Sequence, residues 1–255
     1  MLKIKNLTKQ FGGLAAVNDV SIEFGANQIN AIIGPNGAGK TTFFNLVAGA
    51  MPPSSGRIEF KGKDIAGMAP DRIARLGIAR TFQTTMLFEE STVLDNLIVG
   101  HRLRTESRLW DVLLNSKRLR ADEKRCREKA AETLDFVGLS HIGQRYIADT
   151  SQEERKRVAF ALALATDPEL VLLDEPAGGI NPEETESLAD MIRKMVAHGT
   201  TVCLIEHKMD MIMALADKIM VLDHGEKIAE GTPEQIKNDP LVIEAYLGSD
   251  EDAEA

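Results

Sequence analysis

Cysteine is scarce in this chain. The two present, Cys126 and Cys203, stand far apart and neither belongs to a Cys-x-x-Cys pair. That pattern argues against a disulfide framework and against a cysteine-built metal site, and it fits a reducing compartment. Long apolar runs are missing too. None approaches the roughly 18–20 residues needed to cross a bilayer, so any work at a membrane needs another chain to span it. The opening MLKIKNLTKQFGG lacks the apolar core of a signal peptide, and the expectation is a chain that is cytosolic by itself. A basic excess is also absent. With 30 Lys and Arg against 39 Asp and Glu, the formal net charge is −9, which disfavours general nucleic-acid binding. No internal repeat is visible.

What remains is ordinary folding material. The 255 residues are 44% hydrophobic and 27% charged, enough for one large α/β domain or a core with a lobe. LKIKN and VSIEF alternate apolar and polar residues, as half-buried strands do. QINAIIG is more continuously apolar and predicts a buried strand. GRIEFKGKDI reads as a strand pair around a glycine turn. From Val93 to about Ala165 the pattern is helical, with Ala130, Leu134 and Val137 along one face. Within it, HRLRTESRLWDVLLNSKRLR is rich in arginine and holds the only tryptophan, Trp110. It suits a solvated amphipathic helix, or a docking surface for a partner or anionic headgroups. Apolar strands return in LVLLDEP and TTVCLIEH, separated by a helix around EETESLADMIRKMVAHG. KIMVLDHGEKIAEG reads as strand, turn, strand. The methionines of HKMDMIMAL predict flexible core packing.

One constellation carries chemistry. Gly34-Pro-Asn-Gly-Ala-Gly39-Lys40-Thr41 matches G-x-x-x-x-G-K-[ST] in full, after an apolar strand and before the helical TTFFNLVAGA. Glycines let such a loop curl until its N–H groups face phosphates, and the helix start adds a favourable field. Asn36, Gly37, Gly39, Lys40, Thr41 and Thr42 are the candidate ATP contacts. Lys40 is placed to reach the β- and γ-phosphates, and Thr41 to ligate Mg²⁺. Asp174 ends an apolar strand, where a carboxylate can hold Mg²⁺ through water. Glu175 follows and is placed to polarise an attacking water. Gln83 closes GIARTFQ, where its amide can touch both Mg²⁺ and that water. His207 closes TVCLIEH, where an imidazole can sense the γ-phosphate. Phe11 offers a flat face for adenine.

In this order, Phe11, the phosphate loop, Gln83, Asp174-Glu175 and His207 resemble the ATP-binding subunit of an ABC transporter. The likeness covers about Met1 to Gly248. KQFGGLAAVNDVS, LDEPAGGINPEE and GTPEQIKNDPLVIEAYLG look most like the branched-chain amino acid branch, the LivG type. The resemblance implies an α/β fold: a RecA-like P-loop ATPase core, an antiparallel β lobe and a helical lobe. It implies a single ATPase domain over 1–247, with core and β lobe in 1–92, a mainly helical lobe in 93–165 and a return to the core in 166–247. Residues 248–255 are expected as an acidic, frayed tail. It further implies ATP and Mg²⁺ as cofactors, and a head-to-tail dimer with two ATP molecules at the interface. A second cassette, transmembrane permease subunits and, indirectly, a substrate-binding protein are the implied partners, with no nucleic acid. The implied place is the cytoplasmic side of the cell membrane.

One departure from the family stands out. The signature sequence, commonly Leu-Ser-Gly-Gly-Gln, falls on Thr150-Ser151-Gln152-Glu153-Glu154. Only Ser151 survives as a γ-phosphate contact. Glu153 and Glu154 add bulk and negative charge at an anion site. The same residues make a good helix start, because Ser151-x-x-Glu154 is a capping box and both acids suit the helix dipole. Two functions follow as expectations. One is a transport ATPase paired with a different cassette, with one site of the dimer degenerate. The alternative is a low-turnover nucleotide-binding regulatory or structural subunit.

Overall fold

The computed structural model describes residues 1–81, 87–102, 105, 111 and 116–251, with side chains to residue 246. It divides into two units, one of Met1–Ile73 with Glu169–Ala255, the other of Ala74–Pro168. In the first stretch the strands are β1 (Leu2–Phe11), β2 (Leu14–Phe24), β3 (Ile29–Ile33), β4 (Ser55–Phe60) and β5 (Lys63–Asp64). The second unit contributes a short β6 (Ile78–Arg80). After it come β7 (Leu170–Asp174), β8 (Thr201–Ile205), β9 (Lys218–Asp223) and β10 (Glu226–Gly231).

The first unit holds two sheets. Strands β2, β1, β4 and β5 form an antiparallel sheet in that order. Leu2, Ile4 and Leu7 are buried along β1 while Lys5 and Asn6 are exposed, so the alternating sequence becomes one covered and one wet face. The second sheet orders five strands of this unit as β10-β9-β3-β8-β7. Here β3 pairs in parallel with β8 and β9, and β7 with β8. Every residue of β3, β7 and β8 is buried. Parallel strands are covered on both faces, which is why these segments read as continuous apolar runs. The register places Asp174 opposite Ile205 and Ile32 opposite the same residue. The C-terminal ends of β3, β8 and β7 therefore lie side by side, and each is followed by a candidate site residue. Ligands of open parallel sheets bind outside this edge.

The second unit is helical. Its helices Val93–His101, Lys117–Phe136 and Gln152–Ala165 pack pairwise. Cys126, Ala130 and Leu134 are buried on the long helix, one turn apart. Val137 is buried as well, but it stands one residue past the helix, as its cap. A Cβ on Gly100 would come within 2.8 Å of Leu162 Cδ1, so the first and third helices approach closely there. Residues 103–104, 106–110 and 112–115, with Trp110, lie outside the described residues.

The strand and turn expectations elsewhere match the elements found. At the C-terminus there is a difference: the Pro240–Glu251 helix continues through the start of the stretch expected as a tail. A helix once nucleated gains one hydrogen bond per added residue, and nothing in Gly248–Glu251 breaks that ladder outright.

Candidate nucleotide site

The phosphate loop leaves β3 at Ile33 and enters the Lys40–Val47 helix. Its curl needs glycine at two ends. Gly34 has φ 148° and a Cβ there would lie 1.9 Å from the Leu222 carbonyl oxygen. Gly39 has φ 95° and a Cβ there would lie 2.2 Å from the Ala16 carbonyl oxygen. Gly39 is also the N-cap, and it gives the helix no side-chain cap bond. The first amides of such a helix lack intrahelical partners and face outward, with the positive end of the dipole behind them. Phe43, Phe44, Leu46 and Val47 are buried and anchor this helix. Asn36, Gly37 and Thr41 are exposed at the loop, and Thr42 is half-buried.

Lys40 is only 6% exposed. Its ammonium donates to the carbonyls of Gly34 and Pro35, both at 2.7 Å. Burial pushes it below the usual lysine range, and the carboxylates of Glu175 and Asp174 offset part of that. Both acids are thus within electrostatic reach of the loop lysine. The β1–β2 hairpin reaches the same place through Ala16, whose carbonyl abuts Gly39. Phe11 stands at its turn, 49% exposed, with the Lys9 ammonium 5.1 Å from its ring centroid.

Asp174 closes β7 and is buried. Glu175 turns the chain in the left-handed region at φ 48°, a conformation that costs a non-glycine residue about 1 kcal/mol. Its N–H donates to Ile205 O at 2.9 Å, which ties the turn to the end of β8. Its Oε1 lies 3.1 Å from His207 Nε2. The structure therefore brings Lys40, Asp174, Glu175 and His207 together at one sheet edge. Gln83 lies outside the described residues. Two side chains that sequence reasoning passed over, Glu206 and Lys208, flank His207 and bond to the loop after Glu175. The available signal was an acid directly after an apolar strand, a costly residue to bury without a partner.

The helix start at Ser151 is described within the second unit. Ser151 is the N-cap of Gln152–Ala165, and a complete capping box is present. Its hydroxyl accepts from Glu154 N at 3.1 Å, and its own N–H donates to Glu154 Oε2 at 2.7 Å. Arg145 pairs with Glu154 Oε1 at 3.0 Å. The backbone bond to Ser151, ahead of the Arg145 charge, holds the Glu154 carboxyl below the usual glutamate range. Glu153 is exposed in the first turn.

A glycine loop from a buried parallel strand into an uncapped helix, with an acid pair and a histidine on neighbouring strand ends, defines a P-loop nucleotide hydrolase. The ABC transporter family matches residues 17–178, and the branched-chain amino acid ATP-binding cassette transporter family matches residues 226–252. The high-affinity branched-chain amino acid transport ATP-binding protein LivG of Salmonella typhimurium is 40% identical over 249 residues, covering 97% of this chain and 98% of that protein. BraF of Pseudomonas aeruginosa, of the same description, is 40% identical over the same length. A crystal structure of an ATP-binding cassette of an ABC transporter in its ADP conformation superposes with TM-score 0.84 at 34% identity, covering 97% and 98% of the two chains. A nucleotide-free cassette gives 0.83 at 35%, covering 96% and 98%. The chain belongs to the ATP-binding subunits of ABC transporters. It is an ATPase whose hydrolysis is coupled to transport, and it works with membrane-spanning components. Among the described residues, no helix is long and apolar enough to cross a membrane.

Proposed function

We propose that this chain powers uptake of branched-chain amino acids as one of two unequal cassettes. The names of its relatives support the substrate class. The cassettes would sit on the cytoplasmic face of the membrane under the permease subunits, with a substrate-binding protein delivering the cargo. The whole of 1–247 acts as one cassette in this reading.

The site residues divide the work. Lys40 and the amides around Asn36, Gly37, Gly39 and Thr42 hold the phosphates, and Phe11 stacks on the base. Thr41 and Asp174, with Gln83, would hold Mg²⁺. Hydroxyl and carboxylate oxygens suit that hard cation, and buried Asp174 stands within electrostatic reach of the loop lysine. Bound there, the ion neutralises charge on the phosphates. Glu175 polarises water, and the His207 imidazole, 3.1 Å from its carboxylate, orients it.

The inequality rests on one observation: the amides of Ser151 and Glu154 are both spent as donors inside the capping box. Helix-start amides are donors with which a signature sequence would meet the partner's ATP. ATP on this chain would face the partner's signature and turn over. ATP on the partner would face Ser151–Glu154 and be held poorly. A homodimer would carry two such closed helix starts, which favours the low-turnover reading for that assembly alone.

The test is asymmetry in the reconstituted pair. Glu175→Gln in this chain should remove nearly all turnover, while the same change at the matching acid of the partner removes little. Equal losses would refute unequal sites.

A further inference from the structure

The segment after Glu175 is held by four consecutive residues at the end of β8. Ile205 O accepts from Glu175 N at 2.9 Å. Glu206 is 4% exposed. One of its oxygens accepts from Ala177 N at 2.5 Å, and the other from His207 N at 3.0 Å and Lys208 N at 3.4 Å. His207 meets Glu175. Lys208 reaches furthest: its ammonium donates to Ile180 O at 3.1 Å and to Thr185 Oγ1 at 2.9 Å. Thr185 in turn donates to Asn181 O at 2.8 Å. The chain from Glu175 to Thr185 is thus fixed at four points to the strand end that carries His207.

Local stability does not account for Lys208. It is the N-cap of Met209–Leu215, and it gives that helix no side-chain bond. Its ammonium instead sits at the start of Pro182–Ala197, bonded to the residues just before and inside that helix. A cation is unfavourable at either helix start, because both expose the positive end of the dipole. Asn181 and Glu184 already cap Pro182–Ala197 with a complete box. What Lys208 adds is a tie across two loops, one bearing the acid and the other the histidine.

We infer that Lys208, backed by buried Glu206, is a positioning residue for ATP hydrolysis: it latches the Ala177–Asn181 loop to the His207 strand end and so fixes Glu175 against His207. The inference rests on the proposed roles of Glu175 and His207. A loose latch leaves the phosphate loop untouched, because Lys40 and its acceptors lie on the helix after β3 and in the loop between them. ATP binding should therefore survive while the catalytic step slows.

The test uses the reconstituted pair of cassettes and compares Lys208→Met, Lys208→Arg and Thr185→Val in this chain. Lys208→Met should lower kcat about tenfold, the scale of one charge-assisted hydrogen bond, with KM and ATP affinity within about twofold of the parent. Amide exchange over 177–181 should quicken by a similar factor. Lys208→Arg should restore kcat. Thr185→Val should add little on top of Lys208→Met, since the two changes remove one shared interaction. A Lys208→Met protein with parental kcat overturns the inference. So does a loss that appears equally in ATP affinity and thermal midpoint and that arginine fails to rescue. Glu175→Gln run alongside separates the two levels. If it hydrolyses ATP like the parent, the Glu175 reading fails and takes the latch with it. If it is inactive while Lys208→Met is normal, only the latch fails.

Discussion

Replacing Glu153 by Gly and Glu154 by Gln should weaken the helix and strengthen the dimer. The two acids are not equivalent. Glu154 is tied to the Ser151 N–H at 2.7 Å and to Arg145 at 3.0 Å. Its charge is largely answered within the chain, and glutamine keeps an acceptor for the amide. Glu153 is exposed, and its charge faces outward from the first turn. One carboxylate about 5 Å from one phosphate charge costs roughly 3 kcal/mol at an effective dielectric near 20. Exposure and salt reduce this to about 1 kcal/mol. Removing it should tighten ATP-driven association about fivefold to tenfold. Against this, a glycine in the first turn costs about 0.5–1 kcal/mol, and the lost dipole interaction about 0.3–1 kcal/mol. The expected result has opposite signs: a lower unfolding midpoint in urea, and stronger ATP-dependent association in light scattering with hydrolysis blocked. Glu153→Gly alone should reproduce most of the gain in association, and Glu154→Gln alone little of that gain. Association that is unchanged in Glu153→Gly, at a stability matched by adding osmolyte, would refute the electrostatic argument.

Other outcomes follow from the same geometry. Lys40→Met should lower ATP affinity at least about a hundredfold, as expected when a buried charge contact to phosphate is lost, yet leave the nucleotide-free thermal midpoint equal or higher. A buried ammonium is costly to desolvate and methionine fills its path; a fall in midpoint by scanning fluorimetry would contradict this. Gly34→Ala should destabilise by about 1–3 kcal/mol or prevent folding, because its Cβ would meet the Leu222 carbonyl at 1.9 Å, whereas Gly37→Ala meets nothing within 4 Å and costs only its φ of 83°, about 1 kcal/mol. Urea titrations of the two variants should separate them. The depressed Glu154 carboxyl gives a pH signature. A lowered folded value means that stability is present above the ordinary glutamate range and is lost as pH falls through the folded value. Glu154→Gln should flatten that acid limb in urea melts taken at stepwise lower pH, and an unchanged limb would show that the box carries no pH-linked stability.

How much of this was legible before the fold was known depends on the range of each interaction. The capping box at Ser151 could be read because its two bonds span three residues, and sequence spacing encodes that distance directly. The glycine loop was legible for a related reason: its residues are consecutive, and its strand and helix flank it. The parallel strands showed as unbroken apolar runs because both their faces are covered. Asp174, Glu175 and His207 were found as polar residues at the ends of such runs. Glu206 and Lys208 were not, although they sit on either side of His207. Their partners, Ala177, Ile180 and Thr185, lie 23–29 residues earlier in the chain. No periodicity connects residues across a helix and a strand; only the parallel register of β7 and β8 does.

The signature helix shows why good local chemistry and good site chemistry can pull apart. A helix start has few donors, and an anion site at that start must leave them available. In this chain the Glu154 amide donates to the Ser151 oxygen and the Ser151 amide to Glu154 Oε2, and Arg145 holds the same carboxylate. A γ-phosphate seeking those two amides would have to break both hydrogen bonds and displace an acid already paired with its own cation. The loop at Gly34–Thr41 is arranged the other way. Its helix has no side-chain cap, its first turn has no acid, and glycine stands where a side chain would close the curl. One helix start is therefore left open and the other is filled from within the chain. That contrast points the ATPase work of this subunit to its own phosphate loop rather than to its signature.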